Sequence, residues 1–513
     1  MIVIEHKQIN CEDIVNVARF YEKIELSLSV KEKINNCKIF ISEIIKKNVS
    51  IYGVNTGFGD LASIAISKEE VKILQKNIIR SHAVGIGDLI TKEVARAMMF
   101  IGVLSLSKGH SGVSIETLEL MVAMLNNRIT PCITEKGSVG ASGDLVQLAH
   151  MALALIGEGE VIYNKKIMLA SEAFKIAGLS PVELEEKEGL ALINGTHFIT
   201  AIGALAIYDA MLLAKYSDIA AALTGDIMDC TDSHVNYLIH EVRPQQGQKT
   251  TAKNIRKLLT GSGILQTRLQ RTNRLQDSYA IRAVPQVHGA IKDAIRYCCR
   301  IFSIEINSVT DNPIIFPEEQ LVISAGNFHG QPVSLASDFL SIAMSELCAI
   351  SERRVERLVD KKLSIILPHF LTHNSGLNSG MMVVQYAAAA ITSENKVLSH
   401  PASVDSITTS ANQEDYVSMG GHAARKCREI IANTRNVLAM EFLCNTQGIE
   451  FRRPLRTSDA LEALISYFRQ QGIKFVKEDM YIKPYIDKIC TILKDDILLK
   501  KVENKIDDGP IEC

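Results

Sequence analysis

Five stretches, residues 199–223, 278–306, 331–359, 379–399 and 421–446, run for more than twenty residues each, rich in Ala and Leu and sparse in Pro. As helices these are rods about 30 to 40 Å long. Rods of that length hide their apolar faces mainly against one another, which predicts an all-α fold built on a long central helix bundle. A chain of 513 residues normally divides into more than one domain. The text changes near residue 198, and the expected division is a smaller, mostly helical N-terminal domain, 1–198, followed by the bundle with its C-terminal helices, 199–513.

Within the first region, apolar spacing predicts two surface helices over 13–47 and further helices over 68–82, 92–107 and 114–126. Residues 161–169 give the one clear hairpin, two short strands around a polar turn. The polar stretch 244–276 reads as partly loop. The apolar run 198–214 is interrupted by Asp209 and lies deep in the chain, so it reads as a core helix rather than a membrane span.

A formal net charge of -2, with no basic cluster interleaved with aromatics, argues against nucleic acid and membrane surfaces as partners. Eleven cysteines without a C-x-x-C pair fit a reducing compartment and offer no zinc site, and no metal is expected. The glycine-rich loop 52–60 lacks the Lys and Ser/Thr of a phosphate loop, so no nucleotide is expected either. The N-terminus lacks a signal-peptide layout, and the cytoplasm is the default location.

The stretch that can carry chemistry is Gly137-Ser138-Val139-Gly140-Ala141-Ser142-Gly143-Asp144, followed by the apolar run 145–156. Read plainly, Ser142 or Asp144 caps a buried helix. Read chemically, Ala141-Ser142-Gly143 can cyclise on its own backbone. The Gly143 nitrogen attacks the Ala141 carbonyl, one water leaves, and Ser142 loses its hydroxyl as a second. Glycine supplies an unhindered nitrogen and tolerates strained angles. Alanine is small enough for the approach. The product is a 4-methylidene-imidazol-5-one, an electrophile made from the chain itself.

Polar interruptions recur in the helical text: Asn194-Gly195-Thr196, Gln276-Asp277-Ser278-Tyr279, Asp311-Asn312-Pro313, Gly326-Asn327-Phe328-His329 and Ala411-Asn412-Gln413-Glu414-Asp415. Alone, each is a loop or a cap. Together, in this order after the Ala-Ser-Gly run, they resemble the aromatic amino-acid ammonia-lyase and aminomutase superfamily, from Tyr52 to about Arg456. The resemblance implies an aspartase/fumarase-like helix bundle, a methylidene-imidazolone from Ala141, Ser142 and Gly143, and a homotetramer whose active sites draw on more than one subunit.

It also implies roles. Tyr52 matches the base that removes a β-proton, a task for tyrosine only if its pKa falls from about 10. Arg282 matches the group that grips the substrate carboxylate, which a planar guanidinium suits. Tyr279 and Asn194 match residues lining the prosthetic ring, with Gln276 beside them and Phe328 packing near it. His82, followed by Ala83, matches the histidine-specific pattern. Glu414 stands where phenylalanine and tyrosine lyases typically carry Gln, and a carboxylate accepts a hydrogen bond from an imidazole N–H.

Outside the family context the same residues have plainer readings. Arg282 would be a helix-surface salt bridge, Phe328 a core aromatic, His82 a cap, and Glu414 an acidic residue at a helix start. The implied reaction is elimination of ammonia from L-histidine to give trans-urocanate. Tyrosine or phenylalanine elimination, or a 2,3-aminomutase outcome, is the alternative. Ala280-Ile281-Arg282-Ala283, Thr196-His197 and Gly420-Gly421-His422 depart from common family patterns near the site and bear on substrate preference.

Overall fold

The computed structural model describes all residues except 6, 47–55, 58–65, 67–69 and 269–274. The fold is all-α. Of the long helices, Gln331–Val359 falls where the sequence puts it, and His197–Ile227, Met382–Leu398 and Gly420–Gly448 differ from the expected spans by a few residues at their ends. The expected helix over 278–306 is broken into Tyr279–Arg282 and Val284–Ile306 at Ala283. The 244–276 stretch is more ordered than its polarity suggests and carries the helix Gln246–Leu259. Most of the apolar window of His197–Ile227 is buried within the chain, as a core helix requires.

The chain forms two compact units, each drawn from three stretches: 1–208, 298–338 and 401–425 for the first, and 209–297, 339–400 and 426–513 for the second. In the first unit, helix Lys92–Leu106 is buried along nearly its whole length. Even Arg96 is enclosed, its guanidinium donating to the carbonyls of Leu125 and Val17. The segment 13–47 does not form two surface helices. Helix Cys11–Ala18 hides Ile14, Val15 and Val17 rather than lying on the surface, and a strand, Ile24–Leu26, precedes helix Leu28–Lys46. That strand pairs in parallel with Ile2–Ile4.

The expected hairpin forms with Val161 opposite Met168. A second hairpin, Ile314–Phe316 with Leu321–Ile323, went unread because strands of three residues are too short to show alternation. It directly follows the Asp311-Asn312-Pro313 turn.

In the second unit the bundle interior holds a connected set of charges. Arg354 embraces Glu441 with two hydrogen bonds of 2.6 and 2.9 Å, and both side chains are fully buried. Ser351 and Thr224 donate their hydroxyls to the same carboxylate, leaving it well satisfied in a dry interior.

Candidate active site

The Ala141-Ser142-Gly143 turn is held in a conformation few residues accept. Ser142 has φ 51° and Gly143 φ 78°, both left-handed. A Cβ on Gly143 would stand 2.1 Å from the Gly195 carbonyl oxygen, so glycine is needed there for space as well as for angle. Two backbone hydrogen bonds tie the turn to that neighbour: Gly195 N–H donates to the Ser142 carbonyl at 3.2 Å, and Asp144 N–H to the Gly195 carbonyl at 2.8 Å. Inside the loop, Ser138 Oγ donates to the Gly143 carbonyl and accepts from Gly140 N–H. On its far side, Met419 N–H donates to the Val139 carbonyl at 2.9 Å.

Neither Ser142 nor Asp144 caps the helix that follows. Helix Val146–Leu155 forms as read but has no side-chain cap, because Leu145, at φ 32°, turns the chain away from Asp144. Asp144 instead caps His197–Ile227, 54 residues on. Its Oδ2 accepts from Phe198 N–H at 2.6 Å and from Ile199 N–H at 3.2 Å. Burial nevertheless pushes its carboxyl up to about 8, and its Oδ1 is enclosed without a partner. The surroundings are equally dry. Burial pushes His197 down to about 4 and raises Glu305, which accepts a 2.6 Å hydrogen bond from Thr196 Oγ1.

Asn194 lies at the end of helix Glu188–Ile193 and donates through Nδ2 to the Asn312 carbonyl at 2.8 Å. The turn it holds is anchored by a buried Lys187–Asp311 ion pair at 2.5 Å. Asn312 Oδ1 in turn accepts from Ser324 Oγ and Ala325 N–H, fixing the start of the segment that bears Phe328. Phe328 is half-buried, not part of the core. Two residues on, a Cβ on Gly330 would come within 3.2 Å of Ser418 Oγ, the same hydroxyl that Gly140 abuts. Ser418 is thus where the Ala-Ser-Gly loop, the Phe328 segment and the segment following Glu414 converge.

His82 ends helix Val71–His82, half-buried, with Nδ1 2.9 Å from Ser81 Oγ. Burial lowers its pKa, while the Ile78 carbonyl and the charge of Glu414 act the other way, so these two residues lie within electrostatic reach. Glu414 does not begin a helix; the next one starts at Gly420. It sits across a tight turn from Thr409, whose Oγ1 donates to its Oε2 at 2.9 Å.

The second unit carries Gln276, Tyr279 and Arg282. Gln276 is exposed, and Tyr279 is 73% exposed. The Arg282 guanidinium lies 4.6 Å from the centre of the Tyr279 ring. Its Nε is buried without a hydrogen-bond partner, and no carboxylate pairs with it among the described residues. Among the described residues the helix-surface salt bridge expected outside the family context is not made, which leaves this half-buried guanidinium able to take a substrate carboxylate. Tyr52 lies outside the described residues.

One arrangement invites a wrong reading. Ser217 Oγ is 3.3 Å from His288 Nε2, and His288 Nδ1 is 2.8 Å from Asp218 Oδ1, the order of a hydrolytic triad. All three are buried, and Arg354 stands 3.2 Å from the same Nε2, occupying the lone pair a base would need. The set is structural. Nothing in the local sequence signals it, because His288 comes from helix Val284–Ile306 while Ser217 and Asp218 are neighbours on His197–Ile227. Among the described residues no group of three or more His, Cys, Asp or Glu could hold a metal ion.

Long helices together with a glycine-pinned Ala-Ser-Gly turn define a class that solved structures already contain. Histidine ammonia-lyase from Trypanosoma cruzi superposes with a TM-score of 0.91 at 39% identity, covering 98% of this chain and 95% of that one. Tyrosine aminomutase from Streptomyces globisporus superposes with a TM-score of 0.94 at 33% identity, covering 99% of each chain. Histidine ammonia-lyase of Alkaliphilus oremlandii is 48% identical over 506 residues, 99% of both chains. The chain belongs to the aromatic amino acid lyase family, whose model matches residues 9–470.

Proposed function

We propose that this chain eliminates ammonia from L-histidine to give trans-urocanate. The observation that carries the reading is the 48% identity over 99% of both chains with histidine ammonia-lyase of Alkaliphilus oremlandii, and it is supported by His82 and Glu414 lying in the same unit as the Ala-Ser-Gly turn. A neutral imidazole and a carboxylate offer a histidine side chain two polar neighbours, whereas an apolar phenyl ring would leave the carboxylate without a matching donor.

The prosthetic group in this reading is a methylidene-imidazolone from Ala141, Ser142 and Gly143. The turn suits it. Ser142 and Gly143 are already bent into left-handed angles, no Cβ fits at Gly143, and the buried Asp144 carboxyl beside it keeps one oxygen unpartnered. When formed, the group supplies an electrophilic carbon that makes the substrate amino group a better leaving group.

The side chains do the rest. Arg282 receives the substrate carboxylate in two parallel hydrogen bonds, its plane steadied by Tyr279. Glu414 accepts the imidazole N–H, and His82, kept neutral by burial, is its second polar neighbour. Tyr52 Oη takes the β-proton. Tyr279, Asn194, Gln276 and Phe328 complete the set of residues that the family resemblance assigns to the reaction. The protein works as a cytoplasmic homotetramer with active sites shared between subunits, and takes neither metal nor nucleotide.

The test is an end-point product assay with histidine, tyrosine and phenylalanine supplied separately, wild type beside Ser142→Ala. Urocanate from histidine, lost in Ser142→Ala, is the expected result. Coumarate, cinnamate or a β-amino acid as the main product would overturn the substrate assignment while keeping the ring chemistry.

A further inference from the structure

Glu414 lies in a surface segment, where a glutamate normally samples several rotamers. Here it does not hang free. Thr409 and Glu414 face each other as an isolated antiparallel bridge, with Thr409 N–H donating to the Glu414 carbonyl at 2.9 Å and Glu414 N–H donating back at 3.3 Å. The turn between them holds three successive residues in left-handed angles, Ser410 at 50°, Ala411 at 51° and Asn412 at 69°, none of them glycine. Each such residue carries a conformational cost, and strain of this kind persists only where the surroundings over-determine it. What the turn achieves is local: it brings the Thr409 hydroxyl to 2.9 Å from Glu414 Oε2. Glu414 Oε1 has no partner among the described residues, leaving one oxygen held and the other open.

We propose that Thr409 is a positioning residue for substrate choice: its hydroxyl fixes the Glu414 carboxylate so that the open oxygen meets the imidazole N–H of histidine. The role rests on the histidine reading above and acts entirely through Glu414. The hydroxyl also commits one oxygen as an acceptor from the protein, which directs the remaining negative charge toward the substrate. A methyl in its place would leave the carboxylate to rotate into solvent, and Val keeps the β-branching that the turn already accommodates.

The experiment is a double-mutant cycle on the full-length protein, reading kcat and KM for urocanate formation in wild type, Thr409→Val, Glu414→Gln and the double variant, with Thr409→Ser as the conservative rescue. Loss of one charge-assisted hydrogen bond predicts a fall in kcat/KM of about tenfold in Thr409→Val, mainly through KM. Thr409→Ser should return to within about threefold of wild type, since it keeps the donor. In the Glu414→Gln background, Thr409→Val should add less than about twofold, because the group it positions has gone.

Equal urea midpoints for wild type and Thr409→Val, alongside that loss, support positioning over a structural role. A Glu414→Gln variant that loses activity while Thr409→Val does not would overturn the role of Thr409 and leave the functional reading intact. A full tenfold loss added on top of Glu414→Gln would do the same. Unchanged histidine turnover in Glu414→Gln would instead overturn the assignment of Glu414 itself, and Thr409 with it.

Discussion

Substituting Gly143 separates two costs that are usually confounded, left-handed backbone and lack of space. Gly143 has φ 78°, and an added Cβ meets the Gly195 carbonyl oxygen at 2.1 Å. Gly178 has a similar φ of 69° at the end of helix Ala170–Ala177, with nothing within 4 Å of where its Cβ would go. Gly178→Ala therefore measures the angle alone, about 1 kcal/mol. Gly143→Ala bears that same cost together with displacement of Gly195. Moving Gly195 strains two hydrogen bonds, to Ser142 and from Asp144, each worth about 1 kcal/mol. Overpacking against a backbone carbonyl adds about 1–3 kcal/mol more. The expected destabilisation of Gly143→Ala is thus about 4–6 kcal/mol, several times that of Gly178→Ala. Urea unfolding of the two variants beside wild type measures the difference, and intact mass on the same samples shows whether two waters have been lost. Equal midpoints for the two variants would refute the steric argument, and a Gly143→Ala chain both fully stable and two waters lighter would refute the claim that this contact shapes the turn.

Two further outcomes follow from the site. Asp144 is raised from 3.8 to about 8 by burial, so the folded chain binds a proton that the unfolded chain has released across that window, and this contribution makes stability fall as pH rises from about 4 to about 8. Asp144→Asn removes the titrating group while keeping a cap acceptor, and should flatten that part of the urea-midpoint profile; a slope equal to wild type would show that Asp144 is not its source. Arg282→Lys keeps the charge but loses the planar fork, and histidine kcat/KM should fall about 10- to 100-fold with the urea midpoint unchanged. Steady-state kinetics check this, and a fall below threefold would mean that Arg282 does not hold the carboxylate.

The long helices were legible because residues such as those of Gln331–Val359 write their apolar face over many turns, and little else in the sequence imitates that pattern. Asp144 shows the opposite case. Its local context announces a cap for the helix beside it, but the backbone reversal at Leu145 hands its carboxylate to Phe198 and Ile199. No local pattern encodes a partner 54 residues away. Thr409 was illegible for a related reason: its role depends on left-handed angles at Ser410, Ala411 and Asn412, and no glycine marks them. That no carboxylate pairs with Arg282 among the described residues is a property of its neighbours in space. Sequence can nominate such a guanidinium but cannot show it to be unclaimed.

The cap that Asp144 places on His197–Ile227 also sets an order in time. A ribosome releases the Ala-Ser-Gly turn well before it releases Phe198 and Ile199, whose N–H groups hold the adjoining carboxyl. Until the long helix has begun, nothing on the N-terminal side supplies those donors or the Gly195 carbonyl that receives Asp144 N–H. A nascent chain stopped short of residue 198 is therefore expected to keep its full mass. In the proposed ring chemistry, loss of two waters would then be a covalent time-stamp, recording in each molecule that two distant parts of the chain have met.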